Sequence, residues 1–351
     1  MTRAAFLGLV LAPAIAFLPA FAGAQELNAL VWCDHADPAL IEPFEERYGV
    51  EVNLREYEGT GAALALLERS RPGDWDVLVI DAIDVFRAVD AGLLAPLPED
   101  ELPLGDQFDE VVMRENNSRD GTLYAATEKF GYNTVSYDVD KVDEADMQDM
   151  EVLLSEKYAG RVAIYDYYLP VIGLAALMSG IDTAAIGEGD LDAIRETLFA
   201  MEANATAVGG VVASQTALAT GEADVVIGGG EWLTATLGED APSLTWTIPE
   251  QGAVRWAQSI GILEGSTRPD LALEFVKYIL SPEAQAKLAT SSCFWGMPAN
   301  EKAGEHLTDA QKATLRWDEQ ADYLARTQLY PAPGAELDAA MQDLWLEMQQ
   351  R

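Results

Sequence analysis

Apolar residues along this chain fall into two alternating patterns: short continuous or period-two runs, and stretches in which they recur every three to four positions. Leu27-Asn28-Ala29-Leu30-Val31-Trp32 is short and mostly apolar and predicts a buried strand. Asp37 before Pro38, with Leu40, Ile41, Phe44 and Tyr48 behind it, predicts a helix with its N-cap followed by proline at the first helical position. Val50 to Leu54 alternates as a second strand, Ala62 to Arg69 predicts a helix, and Trp75 to Ile80 a third strand. Strand, helix, strand is the grammar of a mostly parallel sheet wrapped by helices. The same grammar returns in the strand Gly160 to Tyr165, a helix over Pro170 to Met178, and the strand Ala223 to Ile227, which runs into Gly228-Gly229-Gly230. Val254 to Ile262 predicts a further strand. Leu271, Ala272, Phe275, Ile279 and Leu280 then share one face of a helix that Ser281-Pro282 ends, before another begins at Glu283. An α/β protein of two lobes is the expectation for 351 residues of which 49% are hydrophobic.

The first 24 residues stand outside that pattern. Arg3, the apolar run Ala4 to Phe21 interrupted by Pro13 and Pro19, and the small residues Ala22-Gly23-Ala24 read as a cleavable export signal, with the periplasm as destination. No cysteine sits at the cleavage point to carry a lipid, and nothing later approaches the roughly 20 apolar residues of a membrane span. Composition narrows the partners: 22 Lys and Arg against 59 Asp and Glu give a net charge of −37, which opposes nucleic acid and anionic membranes. Such a field draws in cations, and it equally keeps an exported protein soluble. Cys33 and Cys293 are the only cysteines, so neither a disulfide scaffold nor a multi-cysteine metal site is available; whether they pair depends on a Cα separation below about 7 Å that sequence does not give. His35 and His306 are the only histidines, and neither metal nor cofactor is expected. A secreted hydrolase is a rival class, but there is no Gly-x-Ser-x-Gly and no His-Glu-x-x-His. The triple glycine lacks a following Gly-Lys-Ser/Thr and reads as a flexible strand-end loop rather than a phosphate cradle.

Several segments resemble one family in their order and spacing. Asp270 to Leu288 resembles the helix pair near the end of family 1 extracellular solute-binding proteins. Trp32 with its acidic neighbours, Trp75-Asp76-Val77-Leu78-Val79, Phe130 to Tyr137, Lys157 to Val162, Gly221-Glu222-Ala223-Asp224 and Gln251 to Ser259 resemble the spermidine/putrescine-binding proteins. The resemblance implies a two-lobed, hinged periplasmic binding protein of the Venus-flytrap type, each lobe a mostly parallel sheet flanked by helices. It would be a monomer that feeds an inner-membrane ABC permease, performs no catalysis and inserts in no membrane. The expected lobes are residues 25–134 with 259–297, and 135–258 with 298–351, with crossings near Tyr132 to Ser136, near Gln258 and near Cys293 to Asn300.

Ligands of doubly wound sheets meet the carboxyl ends of strands, which directs attention to Trp32 to His35, Asp81 to Asp84, Tyr165 to Tyr168, Gly228 to Trp232 and the strand around Trp256. Aromatic faces and carboxylates suit an amine. By resemblance, Trp32 and Trp256 take the positions of stacking tryptophans, Asp34 an acidic pocket position, and His35 a place where tyrosine is common. Asp81 and Tyr132 complete the expected lining. Tyr167, Pro170 and Gln258 stand where polyamine binders carry acidic residues, and Gly229 where they carry a tryptophan; Asp166, Glu231 and Trp232 are the neighbours able to compensate. Fewer carboxylates with retained rings imply a monoamine, quaternary ammonium or zwitterion rather than a long polycation. Arg255 falls on the strand face opposite Trp256. Ferric iron is an alternative ligand because Tyr167-Tyr168 resembles the adjacent tyrosines of ferric-binding relatives.

Overall fold

The computed structural model describes residues 25–351; the expected export signal, residues 1–24, lies outside the described residues. The first lobe opens with β1 (Gln25–Val31), α1 (Pro38–Tyr48), β2 (Val50–Glu56), α2 (Thr60–Leu67) and β3 (Val77–Asp81). Asp37 caps α1 by accepting a hydrogen bond from the Ala39 N–H, with Pro38 at the first helical position, and Gly49 ends the helix at φ 65°. A long strand, β4 (Ala126–Asp138), leads to the second lobe, formed by β5 (Val162–Tyr165), α3 (Tyr168–Met178), α4 (Leu191–Ala203), β6 (Ala205–Gly209), α5 (Val211–Thr220) and β7 (Val225–Gly229). The chain continues through β8 (Leu244–Thr247), β9 (Ala253–Ile262), α6 (Pro269–Ile279), α7 (Pro282–Ala289), β10 (Met297–Pro298), β11 (Thr327–Leu329) and α8 (Ala335–Gln349).

Strand order is β2-β1-β3-β9-β4-β7-β5-β6, with β8 and β10 on β4 and β11 on β9. β2-β1-β3 and β7-β5-β6 are parallel triads, and the contacts β3–β9, β9–β4 and β4–β7 that join them are antiparallel. The sheet is therefore less parallel than the βαβ grammar implies. The two triads belong to different lobes, and β4 and β9 cross between them as one paired ribbon.

β1, β3, β5 and β7 are buried on both faces over most of their length and read as apolar runs, while the edge strands β2 and β6 keep exposed or half-buried positions. Leu27, Ala29 and Val31 pack with Phe44 and Phe275 on one side of the first sheet, and Leu30, Leu78 and Ile80 with Ala63 on the other. In the second lobe Val162, Ile164, Val225 and Ile227 pack with Leu174, Leu198, Met341 and Trp345. Behind the central ribbon Phe130, Tyr132, Trp246, Ala257, Met297 and Tyr323 form a separate core. Cys33 and Cys293 are joined as a disulfide with Cα atoms 5.9 Å apart, tying the residue after Trp32 to the residue before Phe294.

Candidate ligand-binding cleft

Register fixes which side chains share the front of the ribbon. Residues directly opposed across antiparallel strands point the same way, and Gln258 lies opposite both Asp81 and Lys129, Trp256 opposite Gly131, and Val254 opposite Asn133. The alternate positions face the back. Tyr132 and Arg255 are paired there, where the Tyr132 hydroxyl donates to Gln320 Oε1 at 2.7 Å and its ring stacks on Trp246. Tyr132, expected to line the cleft, thus turns its side chain away and contributes only its backbone to the front: its N–H donates to Glu231 Oε1 at 3.1 Å and its carbonyl accepts from Trp232 Nε1 at 3.0 Å.

Those two bonds need a close approach that glycine supplies. A Cβ on Gly230 would lie 2.1 Å from the Tyr132 carbonyl oxygen, and one on Gly131 would lie 1.9 Å from Glu231 Oε1 and 2.3 Å from the Trp256 ring. The triple glycine is accordingly no flexible loop. It is buried against β4 and sets the helical turn Glu231–Thr234 beside the ribbon.

Trp232 and Trp256 are 7% and 8% exposed and Glu231 is fully buried. Rings continue outward from Trp232 to Tyr165 at 4.9 Å, Tyr167 at 6.1 Å and Tyr330 at 5.9 Å, and the Tyr330 hydroxyl donates to Asn133 Oδ1 at 2.6 Å. From the first lobe Ile83 packs against this group, and the charge of Asp81 reaches the phenols of Tyr167 and Tyr330. Oδ1 of Asp81 and the indole Nε1 of Trp32 are buried without a hydrogen-bond partner.

Asp34, His35 and Gln258 lie deeper and are spoken for by the protein itself. Asp34 Oδ2 accepts from Lys129 Nζ at 2.9 Å and Gln258 Nε2 at 3.1 Å, its Oδ1 lies 3.0 Å from His35 Nδ1, and His35 Nε2 lies 3.0 Å from Glu128 Oε1. Asp34, His35, Glu128 and Lys129 are all fully buried. A β-bulge makes the arrangement possible: the register passes from Gln258–Lys129 to Ser259–Thr127, leaving Glu128 as the extra residue, and its carboxylate is aimed at His35. Asp166 is a correction of a different kind. It is exposed, and its Oδ1 accepts from Trp345 Nε1 at 3.1 Å and Gln349 Nε2 at 2.7 Å, so it pins α8 and stands outside the group of rings. Lys129, Glu128, Phe294 and Tyr330 were not legible as site residues. The one signal was the pair of charges Glu128-Lys129 inside a strand otherwise made to be buried.

The electrostatics follow from burial. Desolvation lifts the Asp81 carboxyl to about 7, assisted by the Asp84 carboxylate and opposed by the N–H groups of Ile83 and Ala82. Desolvation also lifts Glu231 to about 8, against the N–H groups of Glu231 and Tyr132 and the charge of Lys129. For His35 burial opposes protonation, but Glu128 and Asp34 outweigh it and raise the imidazole to about 10, so the ring is charged at neutral pH. Burial likewise resists ionisation of Asp34, yet Lys129 and His35 hold it well below the usual carboxylate range.

A pH dependence of stability results. Asp81 and Glu231 bind a proton more tightly folded than unfolded, so their contribution is complete below their ordinary pKa values of 3.8 and 4.5 and is lost as pH rises through about 7 and 8. His35 contributes fully below 6.5 and loses its contribution as pH rises through about 10. Lys129, lowered by burial, acts with the opposite sign as it deprotonates. The ligand-free protein is therefore expected to melt at higher temperature at pH 5.5 than at pH 8.5, and the Asp81→Asn, Glu231→Gln double variant should flatten that slope. A slope unchanged by the double variant would contradict these environments.

Comparison with known proteins agrees with this architecture. Over 311 residues the chain is 24% identical to the putrescine/agmatine-binding protein of Pseudomonas aeruginosa, covering 83% of this chain and 82% of that one. Over 304 residues it is 24% identical to iron uptake protein A1 of Synechocystis, covering 78% of each. The crystal structure of the spermidine/putrescine ABC transporter substrate-binding protein PotD from Streptococcus pneumoniae superposes with a TM-score of 0.81 at 18% identity, over 93% of this chain and 99% of that one. Residues 39–315 match the family described as bacterial extracellular solute-binding protein. With two lobes joined by a crossing ribbon and rings and carboxyls gathered where they meet, the chain belongs to that family of bacterial extracellular solute-binding proteins.

Proposed function

We propose that this protein is the periplasmic solute-binding subunit of an ABC importer, a carrier rather than an enzyme, which holds a small amine-bearing molecule between its lobes. The lobes are residues 25–134 with 259–297 and residues 135–258 with 298–351, and the closed form is what a permease in the inner membrane engages. The carrying observation is Asp81: a buried carboxyl with an unpartnered oxygen, set by the first lobe toward rings of the second. A carboxyl oxygen buried without a partner is costly, and an ammonium supplies both the hydrogen bond that Oδ1 lacks and a countercharge. Trp256, Trp232, Tyr165 and Tyr167 offer aromatic faces to the same cation, each contributing about 0.5–2 kcal/mol. The name of the Pseudomonas relative and the net charge of −37 support the same ligand class. Because Asp34 is neutralised by Lys129 and Gln258 replaces an acid, the carboxyls left for a ligand are Asp81 and Glu231, which favours one cationic end over a polycation.

A thermal-shift screen of the mature chain with putrescine, agmatine, choline, betaine and γ-aminobutyrate tests this reading. At least one amine should raise the melting temperature, and Trp256→Ala should weaken its binding at least tenfold while leaving the fold intact. A flat screen, or full affinity in Trp256→Ala, would count against it. The Synechocystis relative raises a ferric ligand as the second reading. Against it, the Tyr168 hydroxyl is already engaged, donating to Asp338 Oδ1 at 2.5 Å, while Tyr167 packs edge to face on Tyr330. A tyrosinate-to-iron absorption band on adding ferric citrate would favour iron.

A further inference from the structure

Among the described residues, Lys129 places its ammonium at the front of the ribbon, and its surroundings are those of a bound guest. Its Nζ donates to Asp34 Oδ2 and to the Phe294 carbonyl, both at 2.9 Å, and sits 3.9 Å from the centroid of the Phe294 ring. A carboxylate, a carbonyl and an aromatic face are what a protein assembles to hold a foreign ammonium, whose three donors and positive charge they match. Here they hold the protein's own. The side chain is fully buried, lies in one cross-strand row with Asp81 and Gln258, and crowds the same point above Gly296 as the Trp256 ring. The charge of Glu231 reaches it from the second lobe. The rest of the seat is rigid: Asp34 is fixed by His35 and Gln258, and Phe294 follows the Cys33–Cys293 bond.

We propose that Lys129 is a tethered occupant of an ammonium seat built from Asp34, the Phe294 carbonyl and the Phe294 ring, and that by filling this seat it restricts the cleft to solutes with a single cationic end. An ammonium on the chain itself loses no translational freedom on seating, so a free one cannot displace it at ordinary concentrations. With Asp81 and Glu231 both engaged by one ammonium, a diammonium solute would then leave its second charge without a carboxylate, next to a lysine of the same sign. The selectivity half of this inference rests on the amine-receptor reading above; the seat itself does not.

Lys129→Ala removes the equivalent of n-propylammonium and leaves Asp34 and the Phe294 carbonyl unsatisfied. The melting temperature of that variant should rise further with n-propylammonium chloride than the wild type's does, and should not rise with n-propanol at equal concentration. If the variant does not fold alone, refolding it in the two additives gives the same comparison: recovery in the ammonium only supports the seat, and recovery in neither overturns it. In the second arm, α,ω-diammonium alkanes of four and five carbons should bind the wild type at least tenfold more weakly than the matching monoammonium alkanes, and Lys129→Ala should gain at least tenfold for the diammonium series. An unchanged preference in a folded variant would overturn the selectivity. Failure of every amine on the wild type, with propylammonium rescue of the variant, would sink the receptor reading and leave the seat. Amine binding by the wild type without any rescue would do the reverse.

Discussion

Asp34→Ala is expected to cost about 3–5 kcal/mol of folding stability, the loss typical of removing one member of a buried ion pair. Asp34 balances Lys129 at 2.9 Å and His35 at 3.0 Å, and all three are excluded from water. Without it, two buried cations keep only Glu128 and the more distant Glu231 as opposite charges, and Gln258 Nε2 loses its acceptor. The penalty is not the worth of the pair. It is the price of leaving charge in a low-dielectric interior, so adding Lys129→Met to the same chain should recover part of the loss. Urea denaturation of the single and double variants measures both numbers; a single-variant cost below about 1 kcal/mol would mean that water reaches the network.

The second large effect concerns the Cys33–Cys293 bond. It closes a loop across 260 residues and links the end of β1 to the segment between α7 and β10, the two places that present Trp32 and Phe294. A Cys33→Ser, Cys293→Ser variant is expected to lose about 2–5 kcal/mol, roughly 3–7 °C in melting temperature, because the cross-link restricts the unfolded chain. Amine affinity should fall with it, since Phe294 would no longer be fixed beneath Lys129 and Trp256. The thermal shift between the oxidised wild type and the serine variant, each with and without ligand, reads both effects. Equal melting temperatures would contradict the structural role.

What could be read in the sequence divides by range of interaction. β3 was legible because Val77 to Ile80 is buried on both faces and needs no polar alternation, and α1 because Asp37-Pro38 is a local start signal. β4 was not legible as a 13-residue strand, since Glu128, Lys129, Gly131 and Asn133 interrupt its apolar pattern. Their reasons lie elsewhere in the chain: Lys129 meets Asp34 from 95 positions away, and Gly131 makes room for Glu231 and Trp256. The same limit explains the misplaced side chains. Tyr132 sits on the back because Gly131 and Asn133 occupy the front, a parity that only the pairing with β9 fixes. Asp166 looked like a substitute anchor by proximity to Tyr167, but just past the end of β5 its carboxylate is taken by Trp345 and Gln349 of α8. The triple glycine suggested freedom where close packing against Tyr132 was the need.

The central claim, a single cationic group seated against Asp81 and Glu231, is tested most directly by calorimetric titration of the mature protein with the best-binding amine at pH 7.5 in two buffers of different ionisation enthalpy. With Glu231 lifted to about 8 and Asp81 to about 7, seating a cation should release protons, and Asp81→Asn, Glu231→Gln should abolish both the release and at least tenfold of the affinity. Binding with no buffer dependence, unaltered in the double variant, would contradict it.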